Sequence, residues 1–192
     1  MEILVIFFLI LLNGVFSMSE IALISARKNR LENAAKKGNK NAKVALELAN
    51  SPNTFLSTVQ IGITLIGILT GIFSGDKITT DVRTFVEGFA FLKPYADSIA
   101  VGIVVVILTF FSLVLGELLP KRIGLNYPEK IAKGVAVPMK VISLVTKPFI
   151  WMLTKSTEFI LDVFKIKPSA DGKVTEEEIK AIIKEGTEGG EV

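Results

Sequence analysis

Apolar residues gather along this chain in three long runs. The first, Ile3 to about Ala26, reads ILVIFFLILLNGVFSMSEIALISA; the second, about Phe55–Phe73, reads FLSTVQIGITLIGILTGIF; the third, about Ser98–Leu119, reads SIAVGIVVVILTFFSLVLGELL. A bilayer core takes roughly 20 residues of α-helix at about 1.5 Å each. Each run therefore predicts a transmembrane helix. The first is not read as a signal peptide, because only Glu2 precedes it and the cationic cluster lies after it.

The intervening pattern is different. Leu31–Asn50 is rich in Ala, Lys and Leu with a break at Gly38-Asn39, which predicts a helical hairpin. Ser51-Pro52 then opens the second span, where Pro suits a first helical turn. Over 128–164 the apolar residues Ile131, Val135, Met139, Ile142 and Val145 recur at helical spacing, but Lys133, Lys140, Lys147, Lys155, Glu158 and Asp162 recur among them. Pro128, Pro138 and Pro148 are expected to break this segment into amphipathic juxtamembrane helices. These would lie at the inner interface, with Trp151 at headgroup level, or pack across a subunit boundary. Residues 165–192 read as a linker followed by a helix start, with Thr175 and Glu178 as a capping box. That helix is expected to begin a cytoplasmic domain, and no internal repeat is evident. The predicted fold class is all-α integral membrane: three transmembrane helices, a cytoplasmic helical hairpin and the juxtamembrane helices, all within a membrane domain at 1–164.

Composition narrows the chemistry. The chain is 50% hydrophobic yet 21% charged, a mixture that spans alternating with charged segments produce readily. It has no Cys and no His. That removes disulfides, thiol chemistry, the commonest general base and the commonest transition-metal ligand. Without a phosphate-binding loop or an acid/base pair, no enzyme activity is expected. A bound metal would be a hard cation held by oxygens. Lys and Arg concentrate after span one, from Arg27 to Lys43, and after span three, from Lys121 to Lys147. The positive-inside rule makes both flanks cytoplasmic, the N-terminus external and the C-terminus cytoplasmic in a multi-pass cell-membrane protein. These basic runs suit anionic lipid headgroups better than nucleic acid.

Polar residues inside the spans carry the candidate chemistry. Glu20 lies in span one and Glu117 in span three. An ionisable group in a bilayer reads as functional by default, though either carboxylate could instead snorkel to the inner interface. Glu117 follows Gly116 and precedes Pro120, which cannot donate an amide hydrogen and so frees the Gly116 carbonyl. A carboxylate beside freed carbonyls makes a candidate hard-cation site. Ser17 and Glu20 share a helix face, as do Gln60 and Thr64 in span two. Ser17 and Thr64 lie at similar depth, Ser17 about 13 Å from the inner end of span one. One face from each span can thus offer oxygens to a shared cavity, while close helix packing and backbone bonding explain the same small and hydroxylic residues.

The stretches NGVFSMSEIALISARKNRLE, FLSTVQIGITLIGIL and LGELLPKRIGL, in this order and spacing, resemble the transmembrane domain of the CorC/CNNM (cyclin M) family, and VTEEEIKAIIKEGTEGGEV resembles the approach to that family's CBS-domain pair. The resemblance implies magnesium transport, chiefly efflux, with Na+ as a coupling ion. It implies a homodimer in the lipid bilayer, with one cation per protomer in an inward-facing cavity. It places ligands at Ser17 and at Glu117 beside Gly116, with Thr64 as the nearest substitute for a span-two Asn that this sequence lacks. It also implies a partner CBS-pair domain lying beyond this chain, and no nucleotide site within it. A non-transporting magnesium-sensing regulator or scaffold is the alternative.

Overall fold

In a computed structural model, the structure describes residues 2–73 and 76–165, and all regular elements among them are helical. Helix α1 spans Glu2–Ser25, α2 Lys28–Lys36, α3 Lys40–Ala49 and α4 Pro52–Phe73. Helix α5 spans Asp76–Glu87 and a 3-10 turn covers Lys93–Tyr95. It leads into α6, Ala96–Leu113, which continues through a π-helical turn at Val114–Leu118 into α7, Leu119–Asn126; α8 spans Pro128–Val163. The linker and capping box expected over 166–192 lie outside the described residues.

Helix α1 is the central element. On one side it packs along α4, burying Leu9, Phe16 and Leu23 with Phe55, Val59 and Ile66. On another it packs along the π turn and α7. The α2–α3 hairpin forms where the sequence breaks. Gly38 takes φ +88°, a left-handed conformation that costs glycine nothing, and the Asn39 side chain accepts from the Ala42 amide at 2.9 Å to cap α3. The hairpin seats Leu31, Ala42 and Ala45 completely. Two ion pairs tie it to α8: Arg30–Glu129 at 3.5 Å and Lys140–Glu47 at 2.6 Å. Helix α5 lies against α6, and Arg83 reaches both Glu87 and Asp97, at 2.8 and 3.0 Å.

Among the described residues, four helical stretches are long and apolar enough to cross a membrane: Glu2–Ser25, Pro52–Phe73, Lys93–Asn126 and Pro128–Val163. Two differ from the sequence reading. The third runs on through Pro120 to Asn126, so Glu117 sits nine residues from its end rather than beside it. The segment expected to break at its prolines is one helix of 36 residues with Pro138 and Pro148 inside it. An internal Pro removes one hydrogen bond at a cost of about 3 kcal/mol or more. Breaking the helix would free several backbone groups at each new end, so the one missing bond is the smaller cost. Ala132, Ala136 and Met139 join the core from this helix. The chain divides into two compact units after Trp151; the described part of the second continues α8 and carries its own Lys155–Glu158 pair at 2.7 Å.

Candidate functional site

Three polar side chains occupy one strip of α1. Asn13, Ser17 and Glu20 stand at i, i+4 and i+7, which places them on one helix face. Phe16 faces α4, where it lies against Gly62; a side chain added at Gly62 would collide with its ring. Gly14 faces α7, where an added Cβ would stand 2.9 Å from both the Leu115 carbonyl oxygen and Pro120 Cγ. The polar strip therefore runs between the side of α1 that meets α4 and the side that meets the π turn and α7.

The register of that second contact comes from three residues four apart. Gly116 meets Ile10 and Asn13, Pro120 meets Gly14, and Gly124 meets Met18, Ile21 and Ala22. The missing side chains of Gly116 and Gly124 let the two helices approach backbone to backbone, as helices in lipid require for tight packing. The two helices run parallel, and Ser17 falls between the levels of Pro120 and Gly124.

The irregular turn has a local cause. The Leu119 amide bonds the Val114 carbonyl, five residues back, which defines the π turn; Pro120 has no amide to offer. Single π turns inside helices occur frequently at functional sites. The Gly116 carbonyl freed by Pro120 is not vacant: Asn13 Nδ2 donates to it at 3.1 Å. A carbonyl carries two lone pairs, so the bond from Asn13 does not by itself exhaust it.

Glu117 is half-exposed, and its carboxylate accepts from Lys121 Nζ at 2.7 Å, one turn on. The pair brings a cation and an anion together on the α7 side. A metal ion approaching Glu117 would compete with the Lys121 ammonium. Glu20 is half-buried and has no ion-pair partner among the described residues. Ser17 is the most constrained member of the strip. It is 1% exposed, and its Oγ is buried without a hydrogen-bond partner among the described residues. Its neighbour Ser19, equally buried, instead donates to the Val15 carbonyl at 2.5 Å. An orphaned hydroxyl in a protein interior costs about 1–3 kcal/mol unless a ligand or water meets it.

The structure thus brings Gly116 and Pro120 against α1 at Ile10, Asn13 and Gly14, with Ser17 and Glu20 on the adjoining polar strip further along α1 and Glu117 on the π turn itself. Thr64 stands apart: it is exposed on α4, as is Gln60, while Ile63 beside it packs against the core. No three acidic side chains gather as a metal cluster among the described residues. Any cation here would be held mainly by hydroxyl and carbonyl oxygens with at most a carboxylate or two. Asn13 ties α1 to the π turn, a contact that the sequence alone does not disclose. An amide in the middle of an apolar run was its signal, but the partner 103 positions away was not visible.

Comparison with known proteins identifies the family. The family model described as Cyclin M transmembrane N-terminal domain matches residues 4–192. The chain is 48% identical over 190 residues to "UPF0053 protein sll0260" of Synechocystis, covering 99% of this chain and 42% of the relative. It is 34% identical over 189 residues to the "Polyamine export protein" of Escherichia coli K12, covering 98% and 42%. It is 28% identical over 186 residues to "UPF0053 protein YhdT" of Bacillus subtilis, covering 96% and 40%. The chain spans about two fifths of the length of these curated relatives. A bundle of apolar helices whose central member meets a π turn, matched over nearly its whole length, makes this multi-pass membrane protein a member of the CNNM (cyclin M) transmembrane-domain family.

Proposed function

We propose that this chain is the membrane domain of a cation transporter whose cargo is Mg2+, taken up from the cytoplasmic side and exported. The observation that carries the reading is the buried Ser17 hydroxyl, unpartnered among the described residues, on a strip of α1 shared with Asn13 and Glu20. Mg2+ wants near-octahedral oxygens at about 2.0–2.1 Å and gives up its water reluctantly. Ser17, the second lone pair of the Gly116 carbonyl and a carboxylate from Glu117 or Glu20 would replace part of that shell, with retained waters completing it. Moving Lys121 away from Glu117 would raise the negative charge of the site; letting it return would help expel the ion. Release to the far side would require α1 to loosen from the π turn, whose bonding is already irregular. A homodimer, a coupling Na+ and control by a CBS-pair domain complete the proposal on the strength of the family resemblance.

The test is flux in proteoliposomes. Mg2+ movement that Ser17→Ala and Glu117→Gln abolish, with folding intact by circular dichroism, supports the proposal. Magnesium binding without flux would make the protein a sensor or scaffold instead. A second reading comes from the relatives named for polyamine export, one of them 34% identical over 98% of this chain. An alkyl diammonium ion needs separated carboxylates rather than an octahedral cage, and Glu20 and Glu117 supply two on different helices. Putrescine flux that survives Ser17→Ala but fails in Glu20→Gln and Glu117→Gln would favour that cargo.

A further inference from the structure

A cleft of about 260 Å³ opens where the basic hairpin joins the spans. Leu23 and Ile24 form one wall, at the end of α1; Pro52, Phe55 and Leu56 form the other, at the start of α4. Among the described residues, Lys28, at the first turn of α2, is the charged one that lines it. Lys28 is exposed and has no ion-pair partner among the described residues, whereas nearby Arg30 is engaged by Glu129 and Lys36 by Glu32. The segment 27–50 carries seven Lys and Arg against two Glu, so the rim of the cleft is electropositive.

We propose that this cleft is a binding site for an anionic phospholipid of the leaflet nearest the basic hairpin. Part of an acyl chain lies between Leu23 and Phe55, and the phosphate meets Lys28. The walls suit hydrocarbon, the rim suits an anion, and the cleft stands where a span ends, which is where one lipid molecule presents both. Basic pockets between helices at such a level recognise lipid headgroups. A peptide would bring backbone amides that these walls cannot satisfy. A second copy in a two-fold contact would set the same basic segment against itself, with like charges opposed. The proposal is independent of the cargo.

The experiment is native mass spectrometry of the purified, delipidated chain with phosphatidylglycerol and phosphatidylcholine as probes. Phosphatidylglycerol is expected to be retained preferentially. Lys28→Gln should lower its retention about fivefold, the worth of one basic residue at an anionic lipid surface. Lys37→Gln removes the same charge from the exposed far end of α2 and should leave retention unchanged. Leu56→Trp, which narrows the cleft, should lower retention of the anionic lipid without changing the charge. Equal losses in Lys28→Gln and Lys37→Gln would overturn the proposal in favour of diffuse surface attraction. Equal retention of both lipids would overturn it as well. So would an Ile24→Cys variant that cross-links between protomers in lipid-free detergent, because a second copy would then fill the cleft.

Discussion

The hydrogen bond from Asn13 to the Gly116 carbonyl joins two helices at a place where the backbone ladder lacks a donor, and that makes it separable by mutation. In Asn13→Ala the carbonyl loses its partner while Pro120 still offers no amide, and Gly116 is buried. Hydrogen bonds between membrane helices contribute about 0.6 kcal/mol on average and at most about 1.7. Leaving a buried acceptor empty costs about 1–3 kcal/mol. The expected loss is therefore about 1–2 kcal/mol. Pro120→Ala restores an amide four residues after Gly116, which satisfies the same carbonyl when the turn closes to α-helical register. Asn13→Ala should then cost much less in the Pro120→Ala background, giving a coupling of about 0.5–1.5 kcal/mol. The lost contact of Pro120 with Gly14 affects both arms of the cycle equally and cancels. The assay is reversible unfolding in mixed micelles, followed by circular dichroism, for the wild type, both single mutants and the double mutant. Strict additivity would refute the reasoning, because the two residues would then not be serving one carbonyl.

Further outcomes test other parts of the structure. Gly14→Leu should separate α1 from α7 and destabilise the fold by about 1–3 kcal/mol, while Gly67→Ala, with open space around it, should be tolerated; thermal unfolding in detergent distinguishes them. Ser17→Ala removes the orphaned hydroxyl, so the ion-free protein should keep or gain stability while losing any stabilisation by added Mg2+, read as a melting shift with and without the ion. The hydrogen bond and charge of Lys140 hold the exposed Glu47 carboxyl below its ordinary range. A depressed folded-state pKa means the Lys140–Glu47 tie contributes fully above the unfolded Glu value. It is lost as pH falls through the lowered one, so acid should loosen the α2–α3 hairpin from α8 only below the usual carboxylate range. Spin labels on α3 and α8 should report that release in the wild type, and its absence as a titrating step in Glu47→Gln.

Apolar runs at spanning length determined the helices by themselves, because a backbone in lipid can satisfy its hydrogen bonds only within a helix or a closed barrel. The Gly38-Asn39 break likewise determined the hairpin turn, since only a left-handed residue and a side-chain cap were needed and both are local. The disturbance around Gly116, Glu117 and Pro120 was legible for the same reason: a missing amide is a property of the residue itself. The reach of the third helix and the continuity of α8 were not, because a proline's local cost does not say whether the turns on either side keep their own ladder. Nor could periodicity name neighbours. That Asn13 answers the Gly116 carbonyl, that Phe16 occupies the space at Gly62, and that Thr64 stays exposed while Ser17 is sealed without a partner all depend on which faces of α1, α4 and α7 meet. A helix pattern marks that a face is polar or small; only packing among segments far apart in the chain decides what that face touches.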